Sequence, residues 1–310
     1  MGKFINPFTD EGFKRIFGQE VSKPVLITFL NCLLEGERKI VDLQYLDKEK
    51  IGLSDGDRSL IYDVLCKTDS EEYIIVEMQN KSQPYFKNRS VYYSARAIIE
   101  QGECGSEWEY DIKAVYLIAL LNFRLDGLAA DLRTDVALMD MKRHTLFSDK
   151  VRMIFLQLPY FKKELDDCDN LFERIIYVLK HMDILQRMPF LAQDAVFKRL
   201  AEIAEVASLS KEDRRKYDES LKHYRDTIAV MHGQWLEGHA SGLAEGMEKG
   251  MEKGMEKGME KGMEKGLAEG MEKGIEENKR NNARKMKALG ISADVIVQVT
   301  GLTTEQINSL

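Results

Sequence analysis

The first 160 residues alternate between helical and strand-like patterns of apolar residues. Apolar positions at helical spacing predict three helices, over residues 9–17, 22–35 and 84–101. Apolar runs rich in β-branched residues predict strands over residues 40–50, 111–123 and 151–158. Because helices and strands alternate along the chain, the pattern predicts an α/β domain.

The most informative stretch is residues 58–81, which reads as a β-hairpin around a polar turn at residues 69–71. If the loop is those three residues, the residue numbers of each cross-strand pair sum to 140 along the whole ladder. Asp63 then lies opposite Glu77, with Cβ atoms about 4.5–5.5 Å apart. Gln79 is two residues further on and projects from the same face as Glu77. A register slip of one residue would move the two carboxylates to opposite faces.

Two carboxylates at this spacing repel each other unless a cation lies between them, and oxygen ligands suit Mg²⁺ or Mn²⁺. The same face carries apolar residues, Ile61 and Leu65 beside Asp63 and Ile75 before Glu77. Polar groups on an apolar face are costly unless they coordinate something. The alternative interpretation is a solvated pair on an open face of the sheet.

Asp63 and Glu77-x-Gln79 lie between the segments "NPFTDEGFKRIFG" and "FKNRSVYYSARAIIEQG". This combination resembles the PD-(D/E)xK nuclease-family transposases, also called recombination-promoting nucleases, over residues 4–160. The resemblance implies a restriction-endonuclease-like fold, with a mixed sheet flanked by helices. Apolar residues at helical spacing beyond residue 160 predict a helical C-terminal extension. It also implies metal-dependent cleavage of double-stranded DNA, linked to recombination or transposition-like events.

The resemblance further implies that Asp63 and Glu77 are catalytic ligands of Mg²⁺ or Mn²⁺. Gln79 is the third implied catalytic residue and stands where many members of the wider superfamily carry Lys. A glutamine carries no charge, so it can orient a water or offer its carbonyl oxygen. Lys67 or Lys81 is then a candidate for the missing cation.

Other residues are candidates for the same site. Asp10, at the start of the first helix, is a possible site acid, as in several relatives of this fold. Arg89, Tyr93 and Arg96 share one stripe of the third predicted helix and are candidate DNA phosphate contacts, as is Lys81. The alternative interpretation places the tyrosine in the core, with the arginine stems extended over apolar surface.

The net charge of −7 counts against easy DNA binding, because Lys and Arg supply most of the affinity for phosphates. This balance, together with Gln79, favours an alternative function, in which a catalytically decayed nuclease core acts as a DNA-binding or assembly protein. The apolar runs are too short to span a bilayer, so no membrane partner is expected. Four cysteines without C-x-x-C spacing indicate a reducing cytoplasm.

The sequence predicts four segments: a nuclease-like core (1–160), a helical extension (161–240), a repeat spacer (241–277) and a small C-terminal helical hairpin (278–310). In the spacer, glycine recurs every four residues, mostly as "GMEK". Each glycine costs a helix about 1 kcal/mol relative to alanine. A period of four residues drifts by about 40° per repeat, which fits a left-handed coiled coil poorly. The spacer is therefore predicted to be a frayed helix or a flexible charged linker.

The C-terminal segment predicts two short helices, with Ser292 and Thr303 as N-caps and breaks at Gly290 and Gly301. This layout resembles a helix-turn-helix, whose second helix enters a DNA groove. That second helix carries no Arg or Lys, so a small dimerisation or docking hairpin is the alternative. A homodimer is a possible assembly.

Overall fold

The computed structural model describes residues 2–50, 60–103, 109–191 and 194–310. It divides into two compact units, Met1–Ile228 and Ala229–Leu310. The helices are α1 (Asp10–Phe17), α2 (Lys23–Leu33), α3 (Phe86–Ile99), α4 (Leu171–His181), α5 (Ala195–Ala204), α6 (Lys211–Ala288), α7 (Ala293–Thr300) and α8 (Thr304–Asn308). The strands are β1 (Leu43–Tyr45), β2 (Glu49–Lys50), β3 (Leu60–Ile61), β4 (Val64–Thr68), β5 (Tyr73–Gln79), β6 (Val115–Leu121), β7 (Arg133–Asp140) and β8 (Thr145–Gln157). None of the described helices carries an apolar stretch long enough to cross a lipid bilayer.

A six-stranded sheet forms the centre of the first unit, with the strand order β1-β4-β5-β6-β8-β7. β5 and β8 both run parallel to β6, whereas β1, β4 and β7 run antiparallel to their neighbours. The short strands β2 and β3 pair with each other. The predicted α/β fold with a mixed sheet flanked by helices is confirmed.

The predicted register of the central hairpin is confirmed. β4 and β5 pair antiparallel, and Val64 faces Val76, so that paired positions sum to 140. The backbone N–H of Thr68 donates to the carbonyl oxygen of Glu72 over 2.9 Å and closes the turn. Glu71 adopts the left-handed region with a φ of 64°, which allows the three-residue loop to return the chain.

The two faces of the sheet bury different side chains. Val64 and Val76 pack on one face against α1, α2, α4 and α5. Leu65 and Ile75 point to the other face, where Phe86 of α3 covers them. Because strand side chains alternate between faces, the hairpin register places the three predicted catalytic side chains on the α3 side.

Two strand predictions were wrong in extent. The stretch predicted over residues 40–50 forms two short strands, because the Asp47 carboxylate accepts a hydrogen bond from the Glu49 backbone N–H over 3.0 Å and turns the chain between them. The strand predicted over residues 151–158 is the second half of β8, which pairs with β7, a strand that was not predicted. β7 lies at the sheet edge and its side chains are half-buried or exposed, so its apolar pattern is weak.

The repeat segment is helical, as part of α6. Its methionines are largely exposed, with Met251 at 74 % and Met263 at 71 % exposure. A Cβ added at any glycine from Gly242 to Gly274 would meet nothing within 4 Å. The glycines therefore affect this segment through their low helix propensity and not through steric contacts.

Replacing the nine repeat glycines with alanine should stabilise this part of α6, by up to about 1 kcal/mol for each position. We expect slower amide hydrogen exchange over residues 242–274 of the full chain. Gly290 is the matched control, because its φ of 73° disfavours a Cβ, so Gly290→Ala should destabilise the C-terminal hairpin. Equal exchange rates in the nine-alanine variant and the wild type would contradict the propensity argument.

Two short helices, α7 and α8, follow α6 where the sequence predicts a helical hairpin. Ser292 and Thr303 precede α7 and α8 as N-caps. Gly290 and Gly301 both lie in the left-handed region, with φ of 73° and 70°, where they end the preceding helices. A small apolar cluster joins the end of α6 to α7 and α8. Its predicted roles in DNA contact or dimerisation stay predictions.

Candidate active site

The backbone pairing of β4 with β5 ends just before Asp63 and Glu77. Beyond that point, hydrogen bonds from backbone N–H groups to these two carboxylates connect the strands. The backbone N–H of Asp63 donates to Glu77 Oε1 over 3.2 Å. In return, the backbone N–H of Met78 donates to Asp63 Oδ2 over 2.9 Å. Gln79 Nε2 donates to Glu77 Oε2 over 3.4 Å. The structure thus brings Asp63, Glu77 and Gln79 together where β4 begins and β5 ends.

Burial governs the electrostatics of this pair. Glu77 is only 3 % exposed. Burial raises the pKa of Glu77 above the usual carboxyl range, and the charge of Asp63 adds to this effect. Burial likewise raises the pKa of Asp63, and Asp10 contributes in the same direction. Two carboxylates that resist ionisation in each other's presence are stabilised by a proton or by a bound cation.

The donor set fits a small divalent cation. Mg²⁺ is commonly held by one or two carboxylates and keeps several waters. Asp63 and Glu77 offer that number of carboxylates, and the Gln79 side chain adds a neutral oxygen. Among the described residues, no group of three or more His, Cys, Asp or Glu side chains is placed to hold an ion. The role of Asp10 as a site acid stays a prediction.

Arg89 of α3 presents an unused donor beside the carboxylates. Its Nη1 donates to Gln83 Oε1 over 2.9 Å, and its guanidinium lies over the rings of Phe86 and Tyr93. Its charge opposes the rise in the pKa of both carboxyl groups of the pair. Its Nη2 is buried and has no hydrogen-bond partner among the described residues. A phosphate oxygen would satisfy this donor.

A cleft of about 530 Å³ opens beside the pair. Asp63, Gln79 and two further predicted residues, Asp10 and Lys81, line it. Residues from the first turns of α6, which the sequence analysis assigned to a helical extension, also line the cleft. The α6 residues along the cleft are Lys216, Glu219, Ser220, His223, Tyr224 and Thr227.

Two predicted phosphate contacts are engaged elsewhere. The Tyr93 hydroxyl donates to the Ile61 carbonyl oxygen over 3.5 Å, and its ring packs edge-on against that of Tyr62. Arg96 Nε donates to Glu100 Oε1 over 3.0 Å on the same helix. Neither residue belongs to the described lining of the cleft. Their roles in DNA binding stay predictions.

Sequence reasoning missed two lysines near the carboxylates, Lys14 of α1 and Lys48 before β2. Lys14 Nζ forms an ion pair with Asp10, and its position one turn after Asp10 was the available signal. Lys48 is placed by the β2–β3 pairing, which no local pattern predicts. Lys67, a candidate for the missing cation, lies at the turn end of the hairpin, where its Nζ is 3.2 Å from Glu71 Oε1.

Comparison with known families supports the resemblance that the sequence motifs indicated. The family model for the PD-(D/E)XK nuclease family transposases matches residues 7–234. Comparison with curated proteins and with solved structures gives no match. The family match extends beyond residue 160 to α4, α5 and the part of α6 that lines the cleft. With well over half of its length matched, the chain belongs to the PD-(D/E)XK nuclease family transposases.

Proposed function

We propose that this protein is a divalent-metal-dependent DNA endonuclease that hydrolyses phosphodiester bonds. The observation that carries the proposal is the Asp63–Glu77 pair, with Glu77 buried and Asp63 half-buried, where β4 begins and β5 ends beside an open cleft. Family membership supports a nuclease-type function. The biological output that we propose is recombination or transposition-like rearrangement of double-stranded DNA.

Each side chain has a proposed role. A bound Mg²⁺ or Mn²⁺ would polarise the phosphoryl oxygen and stabilise the charge that develops on it. Asp63 and Glu77 would hold this ion. Gln79 donates its amide N–H to Glu77, which leaves its carbonyl oxygen as an acceptor that can orient the attacking water. Arg89 Nη2 would donate to a phosphate oxygen.

The acidic net charge requires local cations for DNA binding. Lys81 and Lys216 both line the cleft, and Arg89 lies beside the carboxylates. These positions would offset the acidic pair along the path of a bound strand. Phosphate contacts of this kind position DNA without reading its sequence.

A second candidate function is a decayed nuclease core that binds DNA or assembles with partners without cutting. The observation that favours it is the neutral Gln79 at the position of the usual lysine, with its amide committed to Glu77. The two functions differ in metal binding. A working site should bind Mn²⁺ and lose this binding in Glu77→Ala, whereas a decayed one should bind DNA without divalent ions.

The test is incubation of the purified full chain with supercoiled plasmid in Mg²⁺, Mn²⁺, Ca²⁺ or EDTA. We expect nicked and linear products with Mg²⁺ or Mn²⁺ and none with EDTA, because the carboxylate pair needs a cation to act. Isothermal titration with Mn²⁺ checks binding separately from cutting. Absence of cutting with every metal, together with absence of Mn²⁺ binding, would replace this proposal by the decayed-core function.

A further inference from the structure

We propose that Lys87, Arg89 and Arg124 form a basic strip that binds the backbone of a DNA duplex beside the candidate catalytic residues. The choice of DNA as the partner rests on the proposed function. Binding to the strip can be measured without cleavage, in the absence of divalent ions.

The loop that carries Arg124 begins next to the candidate active site. Leu121, the last residue of β6, pairs with Gln79, and the Asn122 backbone N–H donates to the Gln79 carbonyl oxygen over 2.9 Å. Arg124 follows two residues later, so its Cα lies within about 8 Å of that of Asn122. The sheet thus places Arg124 at the same end of the strands as Gln79.

Aromatic packing holds the start of α3 against this loop. Phe86, the first residue of α3, is buried, and its ring centroid lies 6.4 Å from that of Phe123. The ammonium of the next residue, Lys87, lies over Gly127 of the loop, where an added Cβ would be 2.8 Å from Lys87 Nζ. Lys87 is therefore held beside the loop of Arg124, at a point where only a glycine leaves room for it.

Aromatic rings also hold the two arginines of the strip. The Arg89 guanidinium lies 5.1 Å from the centroid of the Phe86 ring, and the Arg124 guanidinium lies 5.1 Å from that of the Tyr160 ring. Stacking on a ring occupies the flat face of a guanidinium and leaves the N–H groups at its edge for phosphate oxygens. In Arg89, the buried Nη2 has no hydrogen-bond partner among the described residues.

The strip has no acidic partners in the described part of the chain. None of its three cations forms an ion pair there, although Asp126 lies in the same loop as Arg124. By contrast, Arg38 and Arg152 have carboxylate oxygens at 2.9 Å and 2.6 Å. Cations that the chain itself does not neutralise can neutralise the phosphates of a bound polyanion.

The N-terminus of α3 adds a second attraction for anions. Tyr85, which precedes the helix, makes no side-chain cap, and the first turn contains no Asp or Glu. It contains Lys87 instead, although a positive charge at a helix N-terminus is unfavourable. A phosphate oxygen at this point would accept hydrogen bonds from the backbone N–H groups of the first turn and would neutralise Lys87.

The distance covered suits several consecutive phosphates. Gln79 at the end of β5 and Gln157 at the end of β8 are two inter-strand spacings apart, about 10 Å. Tyr160, which carries the Arg124 guanidinium on its ring, follows shortly after Gln157. The phosphates of one strand of B-DNA are about 3.4 Å apart along the axis. About three phosphates therefore separate the catalytic residues from the far end of the strip.

The test measures binding of a fluorescently labelled DNA duplex by the full chain, by anisotropy in EDTA over a series of salt concentrations. The double variant Lys87→Gln with Arg124→Gln should bind more weakly and should reduce the magnitude of the slope of log K against log[salt] by about 2. Lys87→Gln with Arg124→Lys keeps one of the two charges, so we expect about half of this reduction. Thermal melting checks that each variant is folded.

The matched control is the double variant Lys142→Gln with Arg143→Gln. It removes the same two charges from the exposed β7–β8 turn, which lies at the opposite end of β8 from Gln157. We expect this control to keep the salt slope of the wild type.

A wild-type slope in the variant of Lys87 and Arg124 would overturn the strip, even if the wild type cuts plasmid. An equal reduction in the control, or no measurable binding of the duplex by the wild type at low salt, would overturn it as well. A slope reduced in the strip variant alone, in a protein that cuts with no metal, would support the strip while the proposed nuclease function fails.

Discussion

Asp63→Asn should abolish metal-dependent cleavage and leave the fold intact. Asparagine is nearly isosteric and its side-chain oxygen can still accept the hydrogen bond from the Met78 backbone N–H, so the β4–β5 connection survives. The change removes one of the two carboxylates that would hold a divalent ion. A metal ion contributes several kcal/mol of transition-state stabilisation, which corresponds to a rate loss on the order of 10³-fold.

The measurement is plasmid nicking with Mg²⁺ and with Mn²⁺, beside thermal melting of the same samples. Asp111→Asn is the matched control, because it neutralises an exposed carboxylate that pairs with Lys113, away from the site. We expect the control to cut at the wild-type rate. Wild-type cutting by Asp63→Asn, or equal losses in both variants, would remove Asp63 from the metal site.

Glu77→Gln should make the metal-free protein more stable while it destroys activity. Glu77 is buried beside a second carboxylate, and burial raises its pKa in the folded state. The folded protein therefore holds this proton more tightly than the unfolded chain. Its contribution to stability is complete below the unfolded pKa of about 4.3 and is lost as the pH rises toward the folded pKa.

Glutamine stays neutral and can keep the hydrogen bond from the Asp63 backbone N–H. Each unit by which the pKa is raised corresponds to about 1.4 kcal/mol. We therefore expect the variant to gain at least about 1 kcal/mol at neutral pH, or roughly 2–4 °C in Tm for a domain of this size. The gain should vanish near pH 4, where the wild-type carboxyl is protonated in both states.

Melting curves from pH 4 to pH 8 in EDTA check the sign, and the difference between variant and wild type cancels the titration of the groups that do not interact with Glu77. Added Mn²⁺ should raise the Tm of the wild type, because an ion neutralises the carboxylates, and should raise that of Glu77→Gln much less. A variant that is less stable than the wild type at pH 8 would contradict the electrostatic account.

The sequence was sufficient to predict the hairpin and the residues that it brings together. The polar turn fixed the loop length, the loop length fixed the register, and the register placed Asp63 near Glu77. One detail was not predictable from pairing alone. The regular ladder stops one pair earlier, and the carboxylates join the strands through backbone N–H groups.

The position of Lys48 and the contribution of α6 to the cleft could not be predicted in the same way. Lys48 depends on the pairing of two strands of two residues each, which leave almost no periodic signal. The wall formed by α6 depends on contacts between residues more than 200 positions apart, such as the hydrogen bond from the Asn6 backbone N–H to the Tyr217 hydroxyl. Local patterns predict elements, whereas such contacts come from how the elements pack.

The number of repeats in α6 also sets the distance between its two ends. Each four-residue repeat adds about 6 Å of helix and rotates the downstream part of the chain by about 40°. Gain or loss of one repeat would keep the reading frame. Relative to Ala229, it would move α7 and α8 along the helix axis and would rotate them about that axis. About nine repeats complete one full revolution, so chains that differ by nine repeats would point the hairpin the same way at a different distance.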